Sequence, residues 1–471
     1  MARFPAADKA VARLRKWAER PDWSEPLSEI FEMHVGPACT ALGIEAETLF
    51  AALDDHSLAM IMGNVLEDLI ACEFDDDRNI VDEYLARRGW KLSAPEKRWL
   101  KALRHSCASL WEVVALDPGR SMTLKDLLAG GEPIVVDERM GSRSAAPWDR
   151  VMARLVTVDG RAYLSGAALL FTPEAADAVL ERFERALKEA RRESRRAARR
   201  AGEPPPEDAV LRAALLQSTA PVLTQEWLFH AYKAATAPPP ELINAEGHTF
   251  MFAEVRFPLL AEVGEACARL DRHPAFEREE GDLRWSWVGS GGPAPSPTRP
   301  AAASKPGETI RLLSDDALGR PLLGSVRIEA GLVILEANSR ERAELGRKLL
   351  ADALRGLAGE PEAVFRSSAE VMSEAGDRPA PVEPDLPPEV RAEILRHYIE
   401  DYYRRTLDDG LPLLDGKSPR QAARTKKGRQ AVVSWLKQME NHEARRAAAA
   451  GEAACDLTWM WSELGLADLR R

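Results

Sequence analysis

Few residues in this sequence could do chemistry, and each such group has a plain structural counterpart. Glu73, Asp75, Asp76 and Asp77 make its densest acidic cluster, the donor type that holds Mg²⁺. No second carboxylate cluster or phosphate-binding loop accompanies it. Acids at the start of the next helix also suit the helix macrodipole, and that is the expected role. The eight histidines (His34, His56, His105, His230, His248, His273, His397 and His442) stand apart. Cys267 and His273 are close but lack two further ligands at zinc spacing, so neither a metal nor a cofactor is expected. No HExxH, GxSxG, GxGxxG or Walker pattern occurs, and the expectation is a protein that is not an enzyme.

The remaining chemistry is cationic. Arg185, Lys188, Arg192, Arg195 and Arg199 recur at helical spacing, with Arg191, Arg196 and Arg200 beside them. Such a stripe can hold phosphate backbones, which makes Lys188, Arg192, Arg195 and Arg199 the candidates for nucleic-acid binding, and a nucleic-acid-associated regulator using the basic helix 182–200 and a β unit before it is the alternative function. Glu181, Glu184, Glu189 and Glu193 are partial counter-ions, and a solvated helix is the favoured reading. The second basic region is 401–446, with eleven Lys and Arg against six Asp and Glu, a net of +5. It suits an acidic protein surface, nucleic acid, or the acidic N-terminal part of its own chain.

Within that region, residues 410–441 read as a helix pair. Ser418-Pro419 starts one helix, the hydroxyl as cap and Pro in the first turn. Gly428 punctuates, and Val432, Trp435, Leu436 and Met439 line one face of a second helix. Leu411, Pro412, Leu413 and Leu414 are expected to plug against that face, and Tyr398 and Tyr402 of a helix over 389–407 to brace it. Leu414, Asp415-Gly416, Ser418-Pro419, Thr425 with Gly428, and Val432-Val433 with Leu436 resemble the toxin-binding domain of bacterial Xre/ParS-type antitoxins. More widely, 65–76, 121–143 and 244–259 resemble multidomain bacterial proteins with this tail, some ending in a SEC-C zinc motif. No such motif is present here. The resemblance implies a protein partner, toxin-like, met by Ser418, Pro419, Arg420, Arg424, Lys427, Gly428 and Arg429.

The elements that must position these groups follow from period and punctuation. With 471 residues, 45% hydrophobic and 30% charged, the chain has core material for several domains. A net charge of −11 disfavours a general nucleic-acid binder. Five scattered cysteines, and no run long enough to span a bilayer, suggest a cytoplasmic protein without membrane attachment. The expected class is α+β multidomain. Residues 1–110 read as an all-α domain. Residues 111–200 read as a small antiparallel β unit plus the long basic helix, with a short helix at 123–128, strands at 133–138, 151–158 and 162–171, and a tight turn at Asp159-Gly160. Residues 207–375 form an α+β region whose halves, β-α-β-β and β-β-α-β, could share one sandwich around a linker at 289–306. A Pro-rich linker at 376–388 leads to the helical module 389–471, in which an Ala-rich bridge precedes a final helix with Trp459, Met460 and Trp461.

Overall fold

The computed structural model describes residues 4, 6–74, 78–238, 241–279, 282–289, 309–311, 320–368, 370–371, 400 and 402–470. Asp75, Asp76 and Asp77, most of both expected linkers, and Val390, Ile394, His397 and Tyr398 lie outside them. The protein is α+β and multidomain. Its contacts divide it into one unit of Met1–Thr236 with Asp385–Arg471 and a second of Ala237–Pro384.

The first unit opens with α1 (Ala7–Ala18), α2 (Pro21–Leu42), α3 (Ala46–Ala51), α4 (Asp55–Ala71), α5 (Ile80–Arg88) and α6 (Ala94–Arg104). Local chemistry sets several starts. Asp54 accepts from the Ser57 amide, Asn79 from those of Val81 and Asp82, and Ser93 and Glu96 form a reciprocal capping box. Each such cap contributes about 1 kcal/mol. Ile61, Val65, Leu66, Leu69 and Ile70 are all buried, as their helical spacing requires.

The chain then forms β1 (Ala108–Asp117), β2 (Ser121–Asp126), β3 (Ile134–Asp137), α7 (Gly141–Ser144), β4 (Arg150–Val158), β5 (Arg161–Leu164) and β6 (Leu169–Phe171). The strand order is β1-β2-β3-β5-β4-β6, and β1 also pairs with β4, so five strands close on themselves. The β3–β5 pair is parallel and the others antiparallel. The result is a five-stranded Greek-key barrel of the OB-fold kind. β1 pairs with β4 along Ala108–Glu112 and with β2 along Trp111–Asp117, and its register with β2 shifts between Val113 and Ala115, a bulge that bends the strand. Asp159 and Gly160, both left-handed at φ 52° and 75°, make the tight turn between β4 and β5.

Two expectations are corrected here. The stretch 123–128 is not a helix, because Met122, Leu124 and Asp126 alternate inward along β2. The strand expected over 162–171 is two strands, broken at Ser165 and Gly166. Near residue 110 the chain passes from helices to strands within one unit. Val156, Val158 and Tyr163 of the barrel share a core with Leu14, Trp23 and Trp99 of the helices.

Next come α8 (Pro173–Ala201), capped by Thr172 and ended by left-handed Gly202, then α9 (Asp208–Leu216) and α10 (Thr219–Thr236). The second unit contains β7 (Glu241–Ile243), β8 (Met251–Pro258), α11 (Val263–Leu270), β9 (Phe276–Arg278), β10 (Arg284–Val288), β11 (Thr309–Arg311), β12 (Leu322–Glu329), β13 (Leu332–Ala337), α12 (Arg340–Ala353) and β14 (Glu362–Ser367). Both halves enter one antiparallel sheet, ordered β14-β8-β13-β12-β10-β9, while β7 and β11 form a separate parallel pair. Ala266, Cys267 and Leu270 of α11 and Ala343 and Leu350 of α12 pack with Val255, Phe257, Trp285 and Trp287. Gly346 lets α12 approach closely, since a Cβ there would stand 2.8 Å from the Trp287 ring.

The first unit is completed by α13 (Pro419–Ala422), α14 (Lys426–Ala450) and α15 (Thr458–Glu463). The Ala-rich segment expected as a bridge extends α14 through Ala450, as the helix propensity of Ala favours.

Candidate functional site

The C-terminal module is built from its caps inward. The Gln421 amide donates to Ser418 Oγ at 3.3 Å, and the Ser418 amide donates back to Gln421 Oε1 at 3.2 Å. Pro419 is buried in the first turn of α13. Thr425 then caps α14 by accepting from the Gly428 amide at 3.0 Å. At Gly428 a Cβ would collide with the Ala422 carbonyl oxygen, so only Gly allows the two helices to meet so closely. Val432, Trp435 and Leu436 are buried among Tyr403, Leu407, Leu414, Met460 and Trp461. Tyr403, not Tyr402, joins this core, and of the four-residue plug Leu414 is buried while Leu413 stays exposed.

The seven residues expected to meet a partner therefore separate by role. Ser418, Pro419 and Gly428 shape the module. Arg420 pairs with Asp408 at 3.1 Å and Glu463 at 2.8 Å, and Arg429 donates to the Gly465 carbonyl at 3.1 Å. Arg424 and Lys427 are exposed and make no ion pair among the described residues, and neither do exposed Lys417 and Lys426. Lys426 and Lys427 occupy the first turn of α14, which has no acidic residue. Cations there add to the positive end of the macrodipole instead of cancelling it.

Another face of α14 lies against the barrel. Lys437, Asn441 and Arg445 recur every four residues and so share that face. Lys437 Nζ donates to Glu112 Oε1 at 2.5 Å, and burial pushes its pKa down although Glu112 opposes the shift. Asn441 Nδ2 donates to Asp149 Oδ1 at 2.7 Å, and Arg445 Nη2 donates to both Asp149 oxygens at 2.7 and 2.8 Å. Trp148 is the centre of this seam. Its φ of 68° is unusual for a bulky residue, and its amide donates to the Val113 carbonyl at 2.7 Å. Its indole N–H donates to Glu440 at 2.6 Å, and the Lys437 ammonium lies 4.4 Å from its ring. Glu440 also accepts from Trp461 and Arg470, each at 3.0 Å.

The seam borders an open pocket of about 380 Å³ lined by Glu112, Arg150, Phe171, Met439 and His442. A second cavity, about 590 Å³, opens at the barrel mouth over Val113, Met122 and Leu164, with Met140 and Leu170 at its rim. The sequence reading singled out none of Glu112, Trp148, Asp149 or Glu440. The one local signal was a Trp held between Pro147 and Asp149 in a turn-rich stretch.

The basic stripe of α8 is exposed at Lys188, Arg192, Arg195 and Arg199. Glu73 pairs with Arg104 at 2.9 Å, and Cys267 lies in the core of the second unit. Among the described residues no three His, Cys, Asp or Glu are placed to hold a metal ion, and no helix is long and apolar enough to cross a membrane.

His34, by contrast, is wholly buried and tied directly to two other elements, and through Asp68 to a third. Its Nε2 meets Asp68 at 3.1 Å and its Nδ1 meets Thr224 Oγ1 at 2.9 Å, while Arg154 donates to Asp68 at 2.5 Å and to the Ser106 carbonyl at 2.6 Å. A hydroxyl, an imidazole and a carboxylate in this order are the parts of a nucleophilic triad. Here all four side chains are within the core, and Thr224 Oγ1 also donates to Ala220 O at 3.2 Å. The group joins α2, α4, α10 and β4 and offers no face to a substrate.

A family model described as a family of unknown function (DUF7986) matches residues 40–201. That stretch runs from the end of α2 through the barrel to the last residue of α8. No curated protein and no solved structure matches the chain.

Proposed function

We propose that the chain is a non-catalytic interaction protein whose C-terminal module captures an acidic protein surface. The supporting observation is how the cations of the module are used. Arg420, Arg429, Lys437, Arg445 and Arg446 are each committed to partners inside the chain. Lys417, Arg424, Lys426 and Lys427 make no ion pair among the described residues, and they stand on a chain of net charge −11. Leu413 and Tyr402, each 58% exposed on the same module, add apolar surface of the kind a protein interface buries. The antitoxin-like motif is in keeping with a toxin-like partner, and the free thiols with a cytoplasmic setting.

The test is a pull-down from native cell extract with the full chain and with Arg424→Glu/Lys427→Glu, each checked by a thermal melt. The expected outcome is one acidic protein retained stoichiometrically by the wild type and lost by the variant at an unchanged melting temperature. Capture that the variant retains in full, or unfolding of the variant, would overturn the reading.

A further inference from the structure

We infer that the C-terminal half of α8 is a docking arm for the phosphate backbone of duplex nucleic acid. Residues 185–200 carry eight cations against two acids, a net of +6. Arg191 is tied to Asp208. Arg185, Lys188, Arg192, Arg195, Arg196, Arg199 and Arg200 are exposed and make no ion pair among the described residues. A favourable helix dipole accounts for about half a charge at the C-terminal end, far less than this excess. Beyond Leu187 the only buried side chain of the helix is Ala198, so these turns are not held as core.

The chemistry of the arm selects its partner. Arg185, Lys188, Arg192, Arg195 and Arg199 form one row about 21 Å long at 1.5 Å per residue. All but one are Arg, whose forked guanidinium matches phosphate oxygens. No exposed apolar side chain larger than Ala occurs between 185 and 200. The arm therefore lacks the anchors of a protein interface and the apolar face of a membrane-bound helix. It also has no aromatic residue on which unpaired bases could stack, which disfavours single strands. The acidic remainder of the chain does not veto contact, because charges more than about 10 Å away are screened at 0.1 M salt.

The experiment measures binding of the full chain to a fluorescent mixed-sequence DNA duplex across a salt series. Five phosphate contacts predict a log–log slope of about −4.5, or roughly a 500-fold loss between 50 and 200 mM salt. Arg192→Gln/Arg195→Gln/Arg199→Gln keeps helix propensity and should reduce the slope to about −1.8, roughly a 12-fold loss. The triple Lys variant should restore the steep slope, and Arg424→Glu/Lys427→Glu should leave it unchanged. Salt-insensitive or absent duplex binding would overturn the inference. So would an unchanged slope in the Gln variant, loss of binding only in the Arg424/Lys427 variant, or tighter binding to single strands, acidic vesicles or polyglutamate.

Discussion

At the scale of residues, Trp148 gives two separable effects in one position. Its side chain joins Glu440, Lys437 and Trp461, while its backbone sits at φ 68°. Trp148→Ala should destabilise the first unit by about 3–5 kcal/mol, as for other large aromatic truncations. Trp148→Gly removes the same side chain but relieves the left-handed backbone, so it should lose about 1 kcal/mol less. Urea unfolding of both variants checks the order. Glu443 supplies a pH test. Burial works to raise its pKa, but two hydrogen bonds from Arg446 and one from the Cys455 amide hold it below its ordinary value. A depressed carboxylate stabilises the fold above its ordinary pKa, and that contribution is lost as pH falls through the folded value. Melting temperature should therefore fall in the acid range below the ordinary carboxylate pKa. Glu443→Gln should lower it at neutral pH and flatten that dependence.

At the scale of elements, α14 does two jobs with different faces. Leu436 belongs to the module's own core, so Leu436→Ala should cost about 2–5 kcal/mol. Lys427, in the exposed first turn of α14, and Arg424, just before it, make no ion pair among the described residues, and Arg424→Glu/Lys427→Glu should change stability by less than about 0.5 kcal/mol. Chemical denaturation of the two variants distinguishes the faces. Ser418 as a cap and Gly428 as a break were legible in the sequence because such signals act over a few residues, whereas the Thr425 cap was not. Tyr402 and Tyr403 were not separable, since adjacent tyrosines differ only in which way the fold turns them.

At the scale of the molecule, every described residue of the second unit's core lies within Ala237–Pro384. Ala237–Pro384 alone should melt in one cooperative transition by calorimetry. Met1–Thr236 alone forfeits the contacts that Glu112, Trp148 and Asp149 make with α14, and should melt below the complete first unit.

The sequence by itself determined the helix start at Ser418, the break at Gly428, the turn at Asp159-Gly160, and the two concentrations of positive charge. These depend on neighbours within a few residues, where backbone geometry and side-chain reach leave little choice. Tertiary structure alone decided that 121–126 is a strand, that β1 closes a barrel, and that His34 meets Asp68 and Thr224 from two distant segments. It also decided which basic residues are committed inside the chain. Lys437 reaches Glu112 across 325 positions, whereas Arg424 reaches no acid among the described residues. A cation reads the same in sequence whether a carboxylate awaits it or not, because only the folded chain brings distant charges within a few ångströms.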